Sequence, residues 1–212
     1  LASGLDGPEV GKGLVEQVSL RADVMLDGMD SFQGSTYLTG HGYMLYGGEH
    51  RRTHAAGLIE TKNRPELRLE RGKWRQRLKL KVIYEDLRQP NNYVEATGDP
   101  KRPARTHFRG HSDYAKRAMK RCKADLERVL APLPVESLRV ERHPDPTESH
   151  VMGTTIMGKS AADSVVDSAL IHHTVRNLAV LGASTFPTAA PANPTLTLSA
   201  LSIRSARTTF GS

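Results

Sequence analysis

The chain has 212 residues, 38% of them apolar and 25% charged, a balance that excludes intrinsic disorder and is long enough to bury an ordinary core. Its formal net charge is +7, which on totals alone admits an anionic partner. One cysteine, Cys122, excludes an internal disulfide and any multi-cysteine metal site, and no apolar run approaches the length of a bilayer span.

The positive charge is local. Residues 51–88 hold 12 Lys or Arg against 5 acids and residues 101–128 hold 10 against 3, whereas residues 141–212 balance at 5 and 5. Residues 1–63 are glycine-rich and read as irregular, with candidate strand pieces at Thr36–Leu38, Tyr43 and Tyr46. Leu78, Leu80, Val82 and Tyr84 then alternate with Lys79, Lys81, Ile83 and Glu85 at the period of a half-buried strand. Pro90-Asn91-Asn92 predicts a turn. Tyr93–Ala96 and Arg105–Phe108 flank a Gly98-Asp99-Pro100 turn, which predicts that these strands form an antiparallel meander. Ala115, Ala118, Met119, Cys122, Leu126, Val129 and Leu130 recur at helical spacing after Ser112, with Lys116, Arg117, Lys120 and Lys123 outward, until Pro132 and Pro134.

From Ser137 onward the chain is less regular. Asn177–Leu181 predicts a short buried strand running into Gly182-Ala183-Ser184, and a last helix starts at Asn193-Pro194 and runs toward Gly211. That helix is apolar nearly all round, so it is expected to lie buried between other elements.

His150 opens a run, Val151-Met152-Gly153-Thr154-Thr155-Ile156-Met157-Gly158, whose glycines let backbone approach a ligand closely. A lone loop histidine is more often structural than catalytic. Asn193-Pro194-Thr195 has the bland reading of a capped helix start and the functional one of a helix N-terminus whose free N–H groups suit a ligand that becomes anionic.

Taken in order, His150-Val151-Met152-Gly153-Thr154, Met157-Gly158, Ser164-Val165-Val166-Asp167, Asn177-Leu178, Gly182 to Pro187 and Asn193 to Thr197 resemble the C-terminal signature of the glucose-methanol-choline (GMC) oxidoreductases. The likeness is greatest to bacterial gluconate, fructose and glucose dehydrogenase flavoprotein subunits. Gln89 to Val94 resembles a family turn leading into a substrate-domain strand, and Val10-Gly11-Lys12-Gly13-Leu14 is similar to a segment near the flavin. Where that segment often continues to a histidine this chain has Gln17, and where many members carry an acid it has Gly182.

The resemblance implies an α+β chain: an antiparallel substrate-domain sheet backed by helices, plus the closing strand and C-terminal helix of a Rossmann-type FAD domain. It divides the chain into an FAD-domain remnant at 1–30, a substrate-binding part at 31–148 and the C-terminal GMC segment at 149–212. Family position makes His150 the base and Asn193 the group orienting the substrate oxygen, with Gly182, Ala183, Pro194 and Thr195 at the cofactor. The expected partners are a small alcohol or sugar, an electron-acceptor subunit, and the portion holding the FAD pyrophosphate. The Gly-x-Gly-x-x-Gly unit of that portion is not found in residues 1–212, so a fragment or one part of a split enzyme is expected, with an incomplete FAD site.

Two rivals come from the residues alone. His50 with His54, or His172-His173 near Asp167, offers metal ligands, but no acid follows His50 as a zinc-protease motif requires. A basic module for nucleic acid or an anionic surface is the other, built on residues 101–128 with Phe108 and Tyr114 as stacking groups; the commoner reading is a solvated helix face.

Overall fold

The structure is a computed structural model, and it describes residues 4–31, 38–63 and 66–211. The chain forms two compact units that interleave in sequence. One is built from Val18–Glu85 and Asp113–Glu148, the other from the segment ending at Gln17, Asp86–Ser112 and the segment starting at Ser149.

In the first unit, β1 (Val18–Leu26), β2 (Leu38–Gly42), β3 (Gly57–Lys62), β4 (Arg77–Tyr84) and a strand at Val135–Val140 form an antiparallel sheet. The helix α1 (Asp113–Leu130) belongs to the same unit. The alternation at Leu78 to Glu85 becomes β4, and β1 repeats it beside β4. Leu20, Val24, Leu80, Val82 and Tyr84 share one core with Ala118, Cys122 and Leu126 of α1. Burying a large aliphatic side chain contributes roughly 1.5–3 kcal/mol, so the face toward α1 holds this unit together.

The opposite face of β1 and β4 is ionic. Asp23 accepts hydrogen bonds from Arg77 at 2.8 Å and Arg139 at 2.9 Å, and Lys81 meets Asp145 at 3.0 Å and Glu148 at 2.7 Å. Much of the positive charge of residues 51–88 is therefore matched by acids across the sheet. Burial pushes the Asp23 carboxyl up, but the Arg139 and Arg77 guanidinium groups outweigh it and hold it below its ordinary value of 3.8. A depressed carboxyl means that the unfolded chain takes up the proton first on acidification. Its stabilisation is fully present above that ordinary value and is lost as pH falls through the folded one. Thermal unfolding is expected to show less loss of stability on going from pH 5 to pH 3 in Asp23→Asn than in the parent. An unchanged slope would remove Asp23 from the acid response.

Several expectations are corrected. Tyr43 and Tyr46 sit in a turn closed by the Tyr46 N–H to the Tyr43 carbonyl at 3.0 Å, because the chain reverses there after β2. Of the Thr36–Leu38 stretch, Thr36 and Tyr37 lie outside the described residues and Leu38 opens β2. The strands after Pro90 are β5 (Tyr93–Ala96) and β6 (Ala104–His107), paired with each other in a separate two-stranded sheet of the second unit. They do not extend the meander from β4. Asp86 redirects the chain: its backbone pairs with Ala189, and its buried carboxylate accepts from the Ser112 hydroxyl and from His111 Nδ1 at 2.8 Å. Buried Asn92 fixes the return, donating to the Gly110 carbonyl at 2.9 Å and accepting from the Arg109 N–H at 2.7 Å.

Asn177–Leu181 is not a buried strand either. It makes one bridge, Ile171 to Ala179, and Leu181 is 51% exposed. A strand needs a ladder partner along its length, and the described residues supply none there. The last helix, α2 (Thr195–Phe210), spans the expected residues but is not enclosed. A stripe at Leu198, Leu201, Ser202 and Ser205 is covered, while Leu196 is 83% and Phe210 86% exposed. Apolar composition sets what a helix can bury; what it does bury depends on the surface beside it. No described helix is long and apolar enough to cross a membrane.

Candidate active site

Everything in this site belongs to the second unit. Val15 and Met152 exchange both backbone hydrogen bonds, at 2.9 and 2.8 Å, and the Gly11 N–H reaches the Thr154 carbonyl at 2.8 Å. The loop after His150 is thus sewn to the segment that resembled a flavin-side motif. Its other edge is sewn to Gly182-Ala183-Ser184. The N–H groups of Gly153, Thr155 and Met157 donate to the carbonyls of Ala183, Ser184 and Thr185 at 3.2, 3.0 and 2.8 Å.

This threading requires glycine at 153. Its φ is +85°, and a Cβ there would stand 2.2 Å from the Gly13 carbonyl oxygen. Ser149 at φ 59° and Thr154 at φ 80° are also left-handed, so the loop carries backbone strain on both sides of His150.

His150 is half-buried, and its Nδ1 lies 2.7 Å from Oε1 of Gln17. Gln17 is 1% exposed and spends its amide nitrogen on the carbonyls of Ala190, at 2.5 Å, and Ala192, at 2.8 Å. Nε2 of His150 makes no hydrogen bond among the described residues. Sequence reasoning noticed Gln17 only as a replacement for a family histidine. Nothing in the spacing of residues 133 positions apart could have paired it with His150.

Asn193 follows the Ala190–Ala192 segment directly. Its side chain is exposed and does not cap α2: Pro194 is the capping residue, no side-chain cap hydrogen bond is made, and the first helical bond runs from the Leu198 N–H to the Pro194 carbonyl. The first helical bond is accepted by the Pro194 carbonyl, one residue after Asn193, so Asn193 precedes the residue that the helix uses as its cap. Gly182 sits at φ 108° with open space where a Cβ would stand, and Ala183 and Thr195 begin the short turn and the helix after their glycine and proline.

A cavity of about 510 Å³ lies beside the loop, with Leu14, Val94, Phe108, Val151 and Gly153 in its wall. Neither His150 nor Asn193 lines it. Gln17 instead joins His150 to Ala190 and Ala192, in the segment just before Asn193. Of the rival residues, Asp167 caps a turn: it accepts from the N–H groups of Ala169 at 2.9 Å and Ile171 at 3.0 Å and from Arg176 at 2.9 Å. Burial pushes its carboxyl up, and the Ile171 N–H and Arg176 prevail in holding it low. His172 accepts from the Val175 N–H at 3.0 Å, and His173 pairs with Ser164 at 2.9 Å, so both serve local structure. Tyr114 donates to the Arg51 carbonyl and to Glu85, both at 2.9 Å, in the first unit.

Comparison with known proteins adds to this geometry. No curated protein matches the chain by sequence. Among solved structures, it superposes on a variant of formate oxidase from Aspergillus oryzae RIB40 with a TM-score of 0.61 at 16% identity, covering 95% of this chain and 47% of that one. Pyridoxine 4-oxidase from Mesorbium loti gives a TM-score of 0.63 at 17% identity, covering 97% of this chain and 44% of that one. The chain therefore spans less than half the length of the structures it matches, and at such identities the likeness speaks for the fold. A family model, GMC oxidoreductase, matches residues 88–202, which include both His150 and Asn193. With more than half of its 212 residues matched, the chain belongs to the GMC oxidoreductase family, in the family's C-terminal domain.

Proposed function

We propose that this chain carries the substrate-facing end of an FAD-dependent enzyme that oxidises the CH–OH group of an alcohol or sugar. The observation that carries the reading is His150: it stands on a strained, hydrogen-bonded loop with one ring nitrogen held by Gln17 and Nε2 without a partner among the described residues. A neutral imidazole nitrogen with its lone pair open suits removal of a hydroxyl proton.

FAD is the cofactor of this family, and when bound it supplies the hydride acceptor. The residues present fit such a group. Gly182 leaves open space at its Cα, and the first N–H groups of α2, at 195–197, precede the first helical donor, Leu198, and point positive potential at an anionic ligand. We assign Gly182, Ala183, Pro194 and Thr195 to hold it. His150 takes the hydroxyl proton at Nε2, the Asn193 amide hydrogen-bonds the same oxygen, and the carbinol C–H bond breaks as hydride while C=O forms. The exposed side of α2 and the extended 177–181 segment would complete the FAD domain, and an electron-acceptor subunit would reoxidise the enzyme.

Anaerobic stopped-flow mixing with a panel of alcohols and sugars tests this reading. At least one is expected to bleach the oxidised flavin absorbance, and deuterium at its carbinol carbon is expected to slow the bleaching. A panel that leaves the flavin oxidised would overturn the substrate class.

A further inference from the structure

We propose that Gln17 is the positioning residue that fixes the tautomer of His150 and ties the approach to Asn193 to the same side chain. The proposal rests on the base reading of His150, and its argument is one of hydrogen-bond bookkeeping. Gln17 is buried, so its amide orientation is set by its neighbours. Its terminal nitrogen faces two carbonyl oxygens, Ala190 and Ala192. Carbonyls only accept, so the NH2 group, with two hydrogens, must stand there. Turning the amide over would press its oxygen against both.

The consequence falls on the ring. Oε1 of Gln17 is then left facing Nδ1 of His150 at 2.7 Å. An amide oxygen cannot donate, so Nδ1 must carry the hydrogen. A neutral imidazole has one N–H, and Nε2 is therefore the bare nitrogen. Gln17 holds His150 in the one neutral form able to take a proton at Nε2, and the Nδ1–H bond persists when the ring becomes an imidazolium. A histidine paired with a carboxylate would obtain the same tautomer together with a raised proton affinity. The neutral amide gives the tautomer without that charge.

The same amide does a second thing. Its bonds to Ala190 and Ala192 hold the three residues before Asn193, so the base and the oxygen-orienting amide move with one buried side chain rather than independently. Residue 17 lies outside the 88–202 segment that marks the family and residue 192 within it, so this device is a property of how the two ends of this unit meet.

The test uses the FAD-loaded enzyme labelled with nitrogen-15 in histidine. Long-range proton–nitrogen correlations show which ring nitrogen bears the hydrogen, and the signals lost in His150→Gln identify the residue. The parent is expected to show protonated Nδ1 and bare Nε2 in its neutral ring. Gln17→Leu is expected to lose this pattern and to slow flavin reduction roughly 10- to 100-fold, as removal of a histidine's orienting partner commonly does. Gln17→Glu offers only acceptors and a negative charge: it keeps the Nδ1–H bond, loses the two carbonyl contacts, and favours the imidazolium. Its acidic limb in kcat/KM is expected to move to higher pH, which a merely structural glutamine would not cause. A parent ring protonated on Nε2, an Nδ1–H pattern surviving in Gln17→Leu, or an unmoved acidic limb in Gln17→Glu would overturn the proposal. Failure of the base reading looks different: His150→Ala would then reduce flavin at the parental rate while the parental tautomer stood as described.

Discussion

In the complete, FAD-loaded enzyme His150→Ala is expected to slow flavin reduction by roughly 10²- to 10⁴-fold, the usual contribution of a positioned general base, with flavin still bound. The size of the effect follows from what the substitution removes. The ring makes one polar contact, to Gln17, and its Nε2 has none among the described residues, so little of the structure leans on it. The cost to folding is that Gln17 Oε1 loses its partner, about 1–3 kcal/mol for a buried acceptor left unmet. Rate and stability should therefore separate: a large kinetic loss, a modest shift in unfolding, and unchanged flavin absorbance after gel filtration. Retained rates would deny His150 the base role whatever the stability. A colourless protein would instead show that His150 supports the cofactor.

Gly153→Ala is expected to lose about 3 kcal/mol or more, because two penalties add at one atom. A left-handed backbone costs a non-glycine residue roughly 1–2 kcal/mol. The added Cβ would also meet the Gly13 carbonyl at 2.2 Å, and backbone cannot rotate away as a side chain can. Relief would require breaking the paired Val15–Met152 hydrogen bonds, which carry the loop. Gly182→Ala is the control, since its φ of +108° imposes the conformational penalty alone and nothing lies within 4 Å of the new atom. Urea unfolding should rank the two variants clearly. Equal midpoints would mean that the close approach of 13 and 153 relaxes freely.

What could be read from the sequence follows the range of the interactions involved. The β4 alternation, the β5–β6 pair around Gly98 and the faces of α1 are local patterns, and they stand where periodicity puts them. β1 carries the same alternation, Val18, Leu20, Ala22, Val24 and Leu26, and was legible but obscured by the glycines around it. The separation of β5–β6 from β4 was not legible, because it depends on Asp86 reaching Ala189 and Ser112. The exposure of α2 was misread because its apolar composition predicts an enclosing surface that the described residues do not provide. At the site, His150 and Asn193 came from a family resemblance. Gln17, a difference from the family pattern, needed coordinates to become informative.

The interleaving of the two units also sets an order of manufacture. Synthesis at about 5–20 residues per second puts roughly 9 to 35 s between the emergence of Gln17 and that of Ala192, to which its side chain must bond. The sheet and α1 are complete in sequence by Glu148, so they have the material to fold while the second unit still lacks its largest segment, from Ser149 onward. Until Met152 is made the segment ending at Gln17 lacks its Val15 partner, and until Ala192 is made the Gln17 side chain lacks its carbonyl acceptors. A ribosome-bound chain that has emerged only as far as Glu148 should therefore resist protease in its sheet and α1 and be cut before Gln17, whereas one in which α2 has emerged should be protected at both.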